Sequence, residues 1–303
     1  MPPVDLETAL REGAAVLAAA GVGPARAEME ILAAHLLGLP RGELRVHALL
    51  GRPAPAGLSE LVARRASREP LQHLTGRAPF REIELEVGPG VFVPRPETEQ
   101  VAQVAISAAR TALAEAGHVL VVDLCTGSGA IALAVAHEVP GSQVVGVELD
   151  AGAVAWARRN ADRLADVGAA VRMVRGDART ALRELDGSVD VVASNPPYIP
   201  PDAVPVDPEV RDHDPAVALY GLGPDGLAVP TGVIGAAARL LRPGGTFVME
   251  HAEVQAGAVR ALVEADGRFT EVRTAPDLTG RDRMVVAVRV DPSPRAGVKD
   301  SRP

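Results

Sequence analysis

After Gly117 the chain alternates short apolar runs with helical stretches, and no other feature narrows its possible folds as far. The runs are Val119–Leu124, Gln143–Leu149, Val171–Arg175, Val189–Ser194, Thr246–Glu250, Thr270–Ala275 and Met284–Val290. Helical periodicity fills most of the gaps, including Ala130–Val139, Ala151–Leu164 and Leu227–Leu241. Short buried strands separated by helices predict an α/β fold: a doubly wound, mostly parallel sheet with helices on both faces. The last two runs have no helix between them, which predicts an antiparallel pair at one edge.

Upstream the period changes. Leu6, Leu10, Val16 and Leu17, then Met29, Ile31, Leu32, Leu36 and Leu37, fall at helical spacings on either side of Gly21-Val22-Gly23-Pro24. Leu58 to Arg68 repeats the pattern. These segments predict a small helical domain over residues 1–76. Phe80, Ile83, Leu85 and Val87 then lead into Gly88-Pro89-Gly90 and Val91-Phe92-Val93. Two apolar runs around such a turn predict a β-hairpin linker over 77–96. A larger domain follows over 97–290, and residues 291–303, rich in Pro and Arg without periodicity, read as a disordered tail.

Composition excludes several classes. At 303 residues, 47% hydrophobic and 23% charged, the chain can bury a real core and reads as soluble and globular. Its single cysteine, Cys125, rules out a disulfide framework and a cysteine-rich zinc site, and no metal is expected. No apolar run approaches a membrane span and no secretory leader is evident, so a cytoplasmic protein without a membrane partner is expected. With 39 acidic against 31 basic residues the net charge is −8. Residues 1–70 are balanced, eight acids to eight arginines, so the excess lies in the remainder. That field disfavours binding to a phosphate backbone.

Val119 to Leu133 reads VLVVDLCTGSGAIAL: strand, then Gly127-Ser128-Gly129, then helix. In a parallel sheet this turn sits at the carboxyl edge, where ligands bind. Glycines let the backbone approach a ligand and the helix N-terminus favours an anionic group. The loop also satisfies the dinucleotide pattern G-x-G-x-x-A, so NAD and S-adenosylmethionine are rivals. Asp123, just before the loop, suits the ammonium of a methionine moiety and is awkward beside a pyrophosphate. Glu148, ending the second strand, is placed to accept hydrogen bonds from ribose hydroxyls under either reading. Asp177 follows the third strand and either receives an adenine amino group or caps a helix over Ala178–Leu185.

The fourth strand stops at Asn195-Pro196-Pro197-Tyr198. Two prolines cannot continue a central strand, so the chain leaves the sheet here, beside the glycine loop. Asn195 offers a carboxamide oxygen and Pro196 a backbone carbonyl, two acceptors matched to the two hydrogens of a planar –NH₂ group. Held by both, the nitrogen lone pair turns out of conjugation and toward a sulfonium methyl, so positioning does most of the catalysis. Tyr198, one of two tyrosines, would pack against the flat substrate group.

With these residues the sequence resembles the amino-methyltransferases bearing an Asn/Asp-Pro-Pro-Tyr motif, and most of all the release-factor glutamine methyltransferases, the PrmC or HemK family. Val93-Pro94-Arg95-Pro96-Glu97-Thr98-Glu99 matches the family's I-P-R-P-E-T-E signature. Glu69-Pro70-Leu71-Gln72-His73-Leu74-Thr75-Gly76 resembles its P-x-Q-Y-I-x-G linker, and Gly280-Arg281-Asp282-Arg283 its G-x-x-R element. The resemblance implies a seven-stranded, Rossmann-like methyltransferase domain of strand order 3-2-1-4-5-7-6, with S-adenosylmethionine as cofactor. It implies methylation of the Gly-Gly-Gln glutamine of class I release factors, docked by the N-terminal helices. Cofactor contacts would come from Asp123, Cys125, Thr126, Gly127, Ser128, Gly129, Glu148, Asp177 and Asn195. Asn195, Pro196, Pro197 and Tyr198 would hold the substrate, with Arg95 either touching it or anchoring the hairpin. Cys125 and Ser128 depart from the family's usual Gly and Thr, and Ala178 stands where some members stack an aromatic residue on adenine.

Rival readings are a ribosomal-protein glutamine methyltransferase, an adenine amino-methyltransferase and a nicotinamide-dependent oxidoreductase. The acidic charge and the lack of a basic, aromatic-lined target domain count against the adenine. The only lysine, Lys299, lies in the tail, which deprives the oxidoreductase of a Tyr-x-x-x-Lys proton donor.

Overall fold

The computed structural model describes residues 4–165 and 171–291, so the tail expected beyond Asp291 lies outside the described residues. The chain divides into two compact units that are discontinuous in sequence. The first takes the described residues of Met1–Ala78 together with Glu86–Val93 and Val204–Asp214; the second takes Pro79–Leu85, Pro94–Ala203 and the described part of Pro215–Pro303.

The first unit is helical. Its elements are α1 (Leu6–Ala19), α2 (Ala25–Leu37), α3 (Arg41–Leu49), α4 (Leu58–Ala66) and α5 (Leu71–Thr75). Asp5 caps α1, its Oδ1 accepting from the Thr8 amide at 2.9 Å, which satisfies one orphan donor of the first turn. The break at residues 21–24 separates α1 from α2, as their spacing predicted. Leu6, Leu10, Leu17, Met29, Leu32, Leu44 and Leu61 close into one buried cluster.

Strands β1 (Arg77–Phe80) and β2 (Ile83–Glu86) form a two-stranded ribbon. The expected hairpin is therefore displaced. It turns at Arg81-Glu82, not at Gly88-Pro89-Gly90, and residues 88–93 carry no strand. The alternation explains why: Ala78, Phe80, Ile83 and Leu85 are all buried only if the chain reverses after Phe80. Arg81 takes the left-handed conformation that reversal requires, and its guanidinium is tied to Glu138.

The rest of the chain runs α6 (Thr98–Ala116), β3 (Leu120–Leu124), α7 (Ala130–Glu138), β4 (Gln143–Glu148), α8 (Ala151–Ala165), β5 (Val171–Arg175) and β6 (Val189–Ser194). It continues through α9 (Pro208–His213), which belongs to the helical unit, then α10 (Ala216–Leu219) and α11 (Ala228–Leu240). It ends with β7 (Leu241–Glu250), α12 (Ala256–Asp266), β8 (Phe269–Pro276) and β9 (Asp282–Arg289). Among the described residues the sheet has seven strands, in the order β5-β4-β3-β6-β7-β9-β8. Renumbered within the sheet, this is the expected 3-2-1-4-5-7-6. The first five are parallel to their neighbours and β9 is antiparallel to both β7 and β8, as the missing helix between the last two runs predicted.

Chain direction sets where a ligand can go. From β3 the chain winds outward through β4 to β5, then crosses back to β6 on the other side of β3. The crevice at the carboxyl ends of β3 and β6 is the switch point of the sheet. Leu124 pairs with Ser194, and Ser194 with Met249, so Asp123, Asn195 and Glu250 stand at the ends of three neighbouring strands.

Candidate active site

The glycine loop leaves β3 through three consecutive demands on its backbone. Cys125, Gly127 and Gly129 have φ of 62°, 56° and 91°, all left-handed. Cys125 replaces a usual glycine and keeps that residue's conformation, at a cost of about 1 kcal/mol. A Cβ on Gly129 would stand 2.8 Å from Leu133 Cδ1, so that glycine is needed for close packing of α7. A Cβ on Gly127 would meet nothing within 4 Å, so the backbone there borders open space. Burial, followed by the charges of Glu148 and Asp123, pushes the Cys125 thiol up, which suits a packing residue and not a nucleophile.

Two residues expected to touch the cofactor are buried. The Thr126 hydroxyl donates to Asp123 Oδ2, and the Ser128 backbone carbonyl accepts from Asn160 Nδ2 at 3.0 Å.

Asp123 is fully buried. Its Oδ2 also accepts from the Ala132 amide at 3.1 Å, clamping the loop to the first turn of α7, while Oδ1 has no partner among the described residues. Burial, partly offset by the bonds from Thr126 and Ala132, pushes its carboxyl up to about 7. Glu148, at the end of β4, accepts from the amides of Gly127 and Asp150, each at 2.9 Å and each on a different oxygen. Each oxygen keeps a lone pair for a further donor.

The helix that Asp177 was expected to cap is absent. No helix spans 178–185; a tight turn leads to a 3-10 turn at Arg183–Leu185. Leu182 adopts a left-handed φ of 58°, which a continuous helix would not allow. The Asp177 carboxylate instead accepts from the Arg179 amide and pairs with the Arg179 guanidinium at 2.6 Å. That hydrogen-bonded partner holds its carboxyl below the usual carboxylate range.

A buried polar cluster lies at the ends of β6 and β7. Asn195 Nδ2 donates to Thr98 Oγ1 at 3.1 Å, and Thr98 Oγ1 donates to Glu250 Oε2 at 2.8 Å. The Tyr198 hydroxyl lies 3.3 Å from Glu250 Oε1. Burial drives the Glu250 carboxyl up to about 7, against the Thr98 bond and the nearby positive charge of Arg283, which both favour ionisation. Burial, then the charge of Glu250, raises the Tyr198 phenol. Four separated segments thus converge: Thr98 from Val93–Glu99, Asn195 and Tyr198 from the Asn-Pro-Pro-Tyr turn, Glu250, and Arg283 from Gly280–Arg283. Thr98 and Arg283 had stood in the sequence as motif letters without a role, and Glu250 was missed. Its signal was available, because it is an acid ending a buried strand, as Glu148 is.

The motif turn is fixed from outside by the stretch that follows it. Gln255 Nε2 donates to the Tyr198 carbonyl at 2.8 Å, and Ile199 pairs with Tyr220. A Cβ on Gly226 would lie 2.4 Å from the Tyr198 carbonyl oxygen, so residues 221–226 press backbone to backbone against the motif. Residues 201–226 therefore do not form one long lid. Val204–Asp214 is counted with the helical unit and the remainder packs on the motif. Arg95 sits at the entrance of α6, its carbonyl accepting the Thr98 amide at 3.1 Å.

These residues fit S-adenosylmethionine. Asp123 leaves a buried acceptor under the loop, Glu148 offers two oxygens already aligned by backbone amides, and Gly127 keeps the approach open. An acidic crevice favours a cationic ligand and repels a pyrophosphate.

Known proteins agree with the geometry. A family profile described as the PrmC N-terminal domain matches residues 8–76, and one described as a methyltransferase domain matches 121–206. The chain is 50% identical over 277 residues to a release factor glutamine methyltransferase of Streptomyces coelicolor, covering 91% of this chain and 95% of that protein. It is 47% identical to one of Mycolicibacterium smegmatis, covering 94% and 98%. It is also 42% identical to a 4-amino-L-phenylalanine/4-methylamino-L-phenylalanine methyltransferase of Streptomyces pristinaespiralis, covering 94% and 95%. The glycine loop is therefore that of a methyltransferase, and the nicotinamide reading is set aside. Among the described residues no helix is long and apolar enough to cross a membrane.

Proposed function

This chain belongs to the release factor glutamine methyltransferase family, and from that premise we propose that it methylates the Gly-Gly-Gln glutamine of a class I peptide chain release factor on its side-chain amide nitrogen. It is an S-adenosylmethionine-dependent enzyme. The bound cofactor supplies an electrophilic methyl group on a positively charged sulfur. Gly127 and Gly129 give it backbone access, Glu148 would hold its ribose, and Asp123 would supply the negative charge that balances its cationic end.

The observation that carries the reading is the anchoring of Asn195. Its Nδ2 is tied to Thr98, which leaves Oδ1 to accept one hydrogen of a substrate –NH₂. The carbonyl of Pro196 would accept the other. An amide nitrogen is a poor nucleophile because its lone pair is delocalised into the carbonyl. Fixing both hydrogens sets the lone pair toward the methyl group, so orientation replaces deprotonation. Tyr198 and Pro197 would flank the planar amide, and Arg95 lies close by in sequence to the Thr98 anchor. The helical unit would dock the body of the release factor. The partner is a protein in the cytoplasm, with no direct nucleic-acid or membrane contact.

A small aromatic amine is the second reading, because the relative from Streptomyces pristinaespiralis is named for such a substrate at comparable identity. An aryl –NH₂ offers the same two hydrogens to the same acceptors. The two are separated by incubating the full chain with labelled S-adenosylmethionine and, in turn, a class I release factor, the same factor with its Gly-Gly-Gln glutamine replaced, and 4-amino-L-phenylalanine. Label on the first only is the expected result. Label persisting on the substituted factor would sink the glutamine assignment.

A further inference from the structure

We infer that Thr98 and Glu250 are positioning residues that set the rotation of the Asn195 carboxamide, so that its Oδ1 and not its Nδ2 faces the substrate nitrogen. The inference rests on the proposed amide-methylating reading and deepens it. The available protons fix the orientation. An ionised carboxylate only accepts, and a threonine hydroxyl has a single proton. Glu250 Oε2 lies 2.8 Å from Thr98 Oγ1, so that proton is committed to Glu250. Thr98 Oγ1 can then only accept from Asn195, at 3.1 Å, and the atom facing it must be Nδ2. Asn195 is left with Oδ1 pointing elsewhere. A flipped carboxamide would set Oδ1 against the Thr98 oxygen and present a donor to a substrate –NH₂, which itself has only hydrogens to offer there.

The charge of Glu250 is thus the origin of the polarity. Once protonated, Glu250 can donate to Thr98 Oγ1, the Thr98 proton is freed, and the wrong rotamer of Asn195 is stabilised. The groups that face Glu250 are Thr98 and Glu97 at the start of α6, Tyr198 after β6 and Arg283 on β9; His251, next in the chain, is turned to the Ala252 carbonyl. Arg283 is in turn paired with Asp277 at 3.3 Å. Burial and Glu97 favour the neutral form, and Thr98, Arg283 and Tyr198 the charged one, leaving the carboxyl at about 7. The relay therefore weakens as pH falls through neutrality.

Full-length T98V, T98S and E250Q test this with saturating S-adenosylmethionine and release factor. T98V is expected to lower kcat roughly 10- to 100-fold, the effect of one functional hydrogen bond, with KM for the release factor and the cofactor Kd little changed. T98S keeps the hydroxyl and should recover most of kcat. Wild-type kcat should fall below pH about 7, and E250Q should lose that limb. In the free enzyme, ¹⁵N NMR should show the Asn195 side-chain –NH₂ protected from exchange in wild type and T98S and unprotected in T98V. Wild-type kcat in T98V, equal losses in T98V and T98S, or an unchanged acid limb in E250Q would each overturn the relay. If T98V does not fold, E250Q and the NMR of wild type against T98S decide the matter. Failure of wild type to methylate the glutamine would defeat the substrate reading, and the NMR result would still judge the relay.

Discussion

Both units bury carboxylates against arginines, and the catalytic unit also buries two that have none. In the helical unit Glu30, 7% exposed, takes hydrogen bonds from Arg26, Arg41 and Arg45. Glu209, 10% exposed, pairs with Arg65 at 2.8 Å and Arg68 at 2.6 Å, and Arg65 also holds Glu28 at 2.6 Å. Burial alone would raise both carboxyls; the arginines bring Glu30 down, and Asp207 with the arginines brings Glu209 down. In the catalytic unit Glu138, Asp190 and Asp277 are likewise paired with Arg81, Arg242 and Arg283, whereas Asp123 and Glu250 are buried more deeply, have no such ion pair among the described residues, and have carboxyls at about 7. A buried charge without a partner is expensive, so burial raises such a carboxyl toward its neutral form. The helical unit spends arginines to make its acids inert. The catalytic unit leaves Asp123 and Glu250 responsive, one beneath the glycine loop and one behind Asn195.

The comparison is broken most severely at the functional side. N195A is expected to lower kcat by roughly 10³-fold, because one of two acceptors for the reacting nitrogen is lost outright. Cofactor affinity should hold, measured by calorimetry. A collapse of affinity instead would make Asn195 chiefly a cofactor ligand. On the structural side R65M leaves Glu28 without its partner and Glu209 with Arg68 alone. Breaking such a buried pair costs about 3 kcal/mol, or a melting temperature roughly 5–10 °C lower, with the cofactor Kd unchanged. A variant as stable as wild type would mean that water replaces the guanidinium freely and that the pairing is incidental.

E148A sits between these cases, since Glu148 is half-exposed and organised by two backbone amides. Loss of charged hydrogen bonds to the ribose should weaken cofactor binding by about 1–3 kcal/mol. Equal affinity in titrations of mutant and wild type would refute the ribose role and leave Glu148 as a strut for the loop.

Much of this contrast was legible beforehand. Alternating runs fixed all seven strands to within a few residues, because buried parallel strands have little freedom in composition. The exception is β7, which begins at Leu241 and carries an irregularity opposite Val189 and Val191. Its Pro243-Gly244-Gly245 segment reads as a loop in any local analysis. Asn195 and Tyr198 were legible because two prolines forbid a strand and leave the flanking side chains exposed to notice. Thr98 and Glu250 were not, being 152 residues apart and joined by a single hydrogen bond. Nor could local pattern show that Val204–Asp214 is counted with the helical unit, since Glu209 acquires its meaning only beside Arg65. The hairpin was misplaced because Gly-Pro-Gly is a strong turn signal. Arg81 supplies a left-handed residue that composition does not advertise.

The smallest expected effect is the most diagnostic of an unpaired acid. Asp123 has its carboxyl raised from 3.8 to about 7 by burial. Its neutral form is the one the fold prefers, so its contribution to stability is complete below pH about 4 and lost as pH rises through about 7. The free enzyme should therefore melt at a lower temperature at pH 8.5 than at pH 6 by this route, and D123N should flatten that slope. Binding a cation above the loop favours the ionised form, so cofactor affinity should move the other way, rising up to about tenfold per pH unit as pH approaches 7 from below. Calorimetry in two buffers of different ionisation enthalpy should detect a proton released on binding at pH 6.5, and D123N should release fewer. If affinity is flat from pH 6 to 8 and no proton is released, Asp123 is only the clamp between the loop and α7. The contrast with the arginine-neutralised acids of the helical unit would then rest on Glu250 alone.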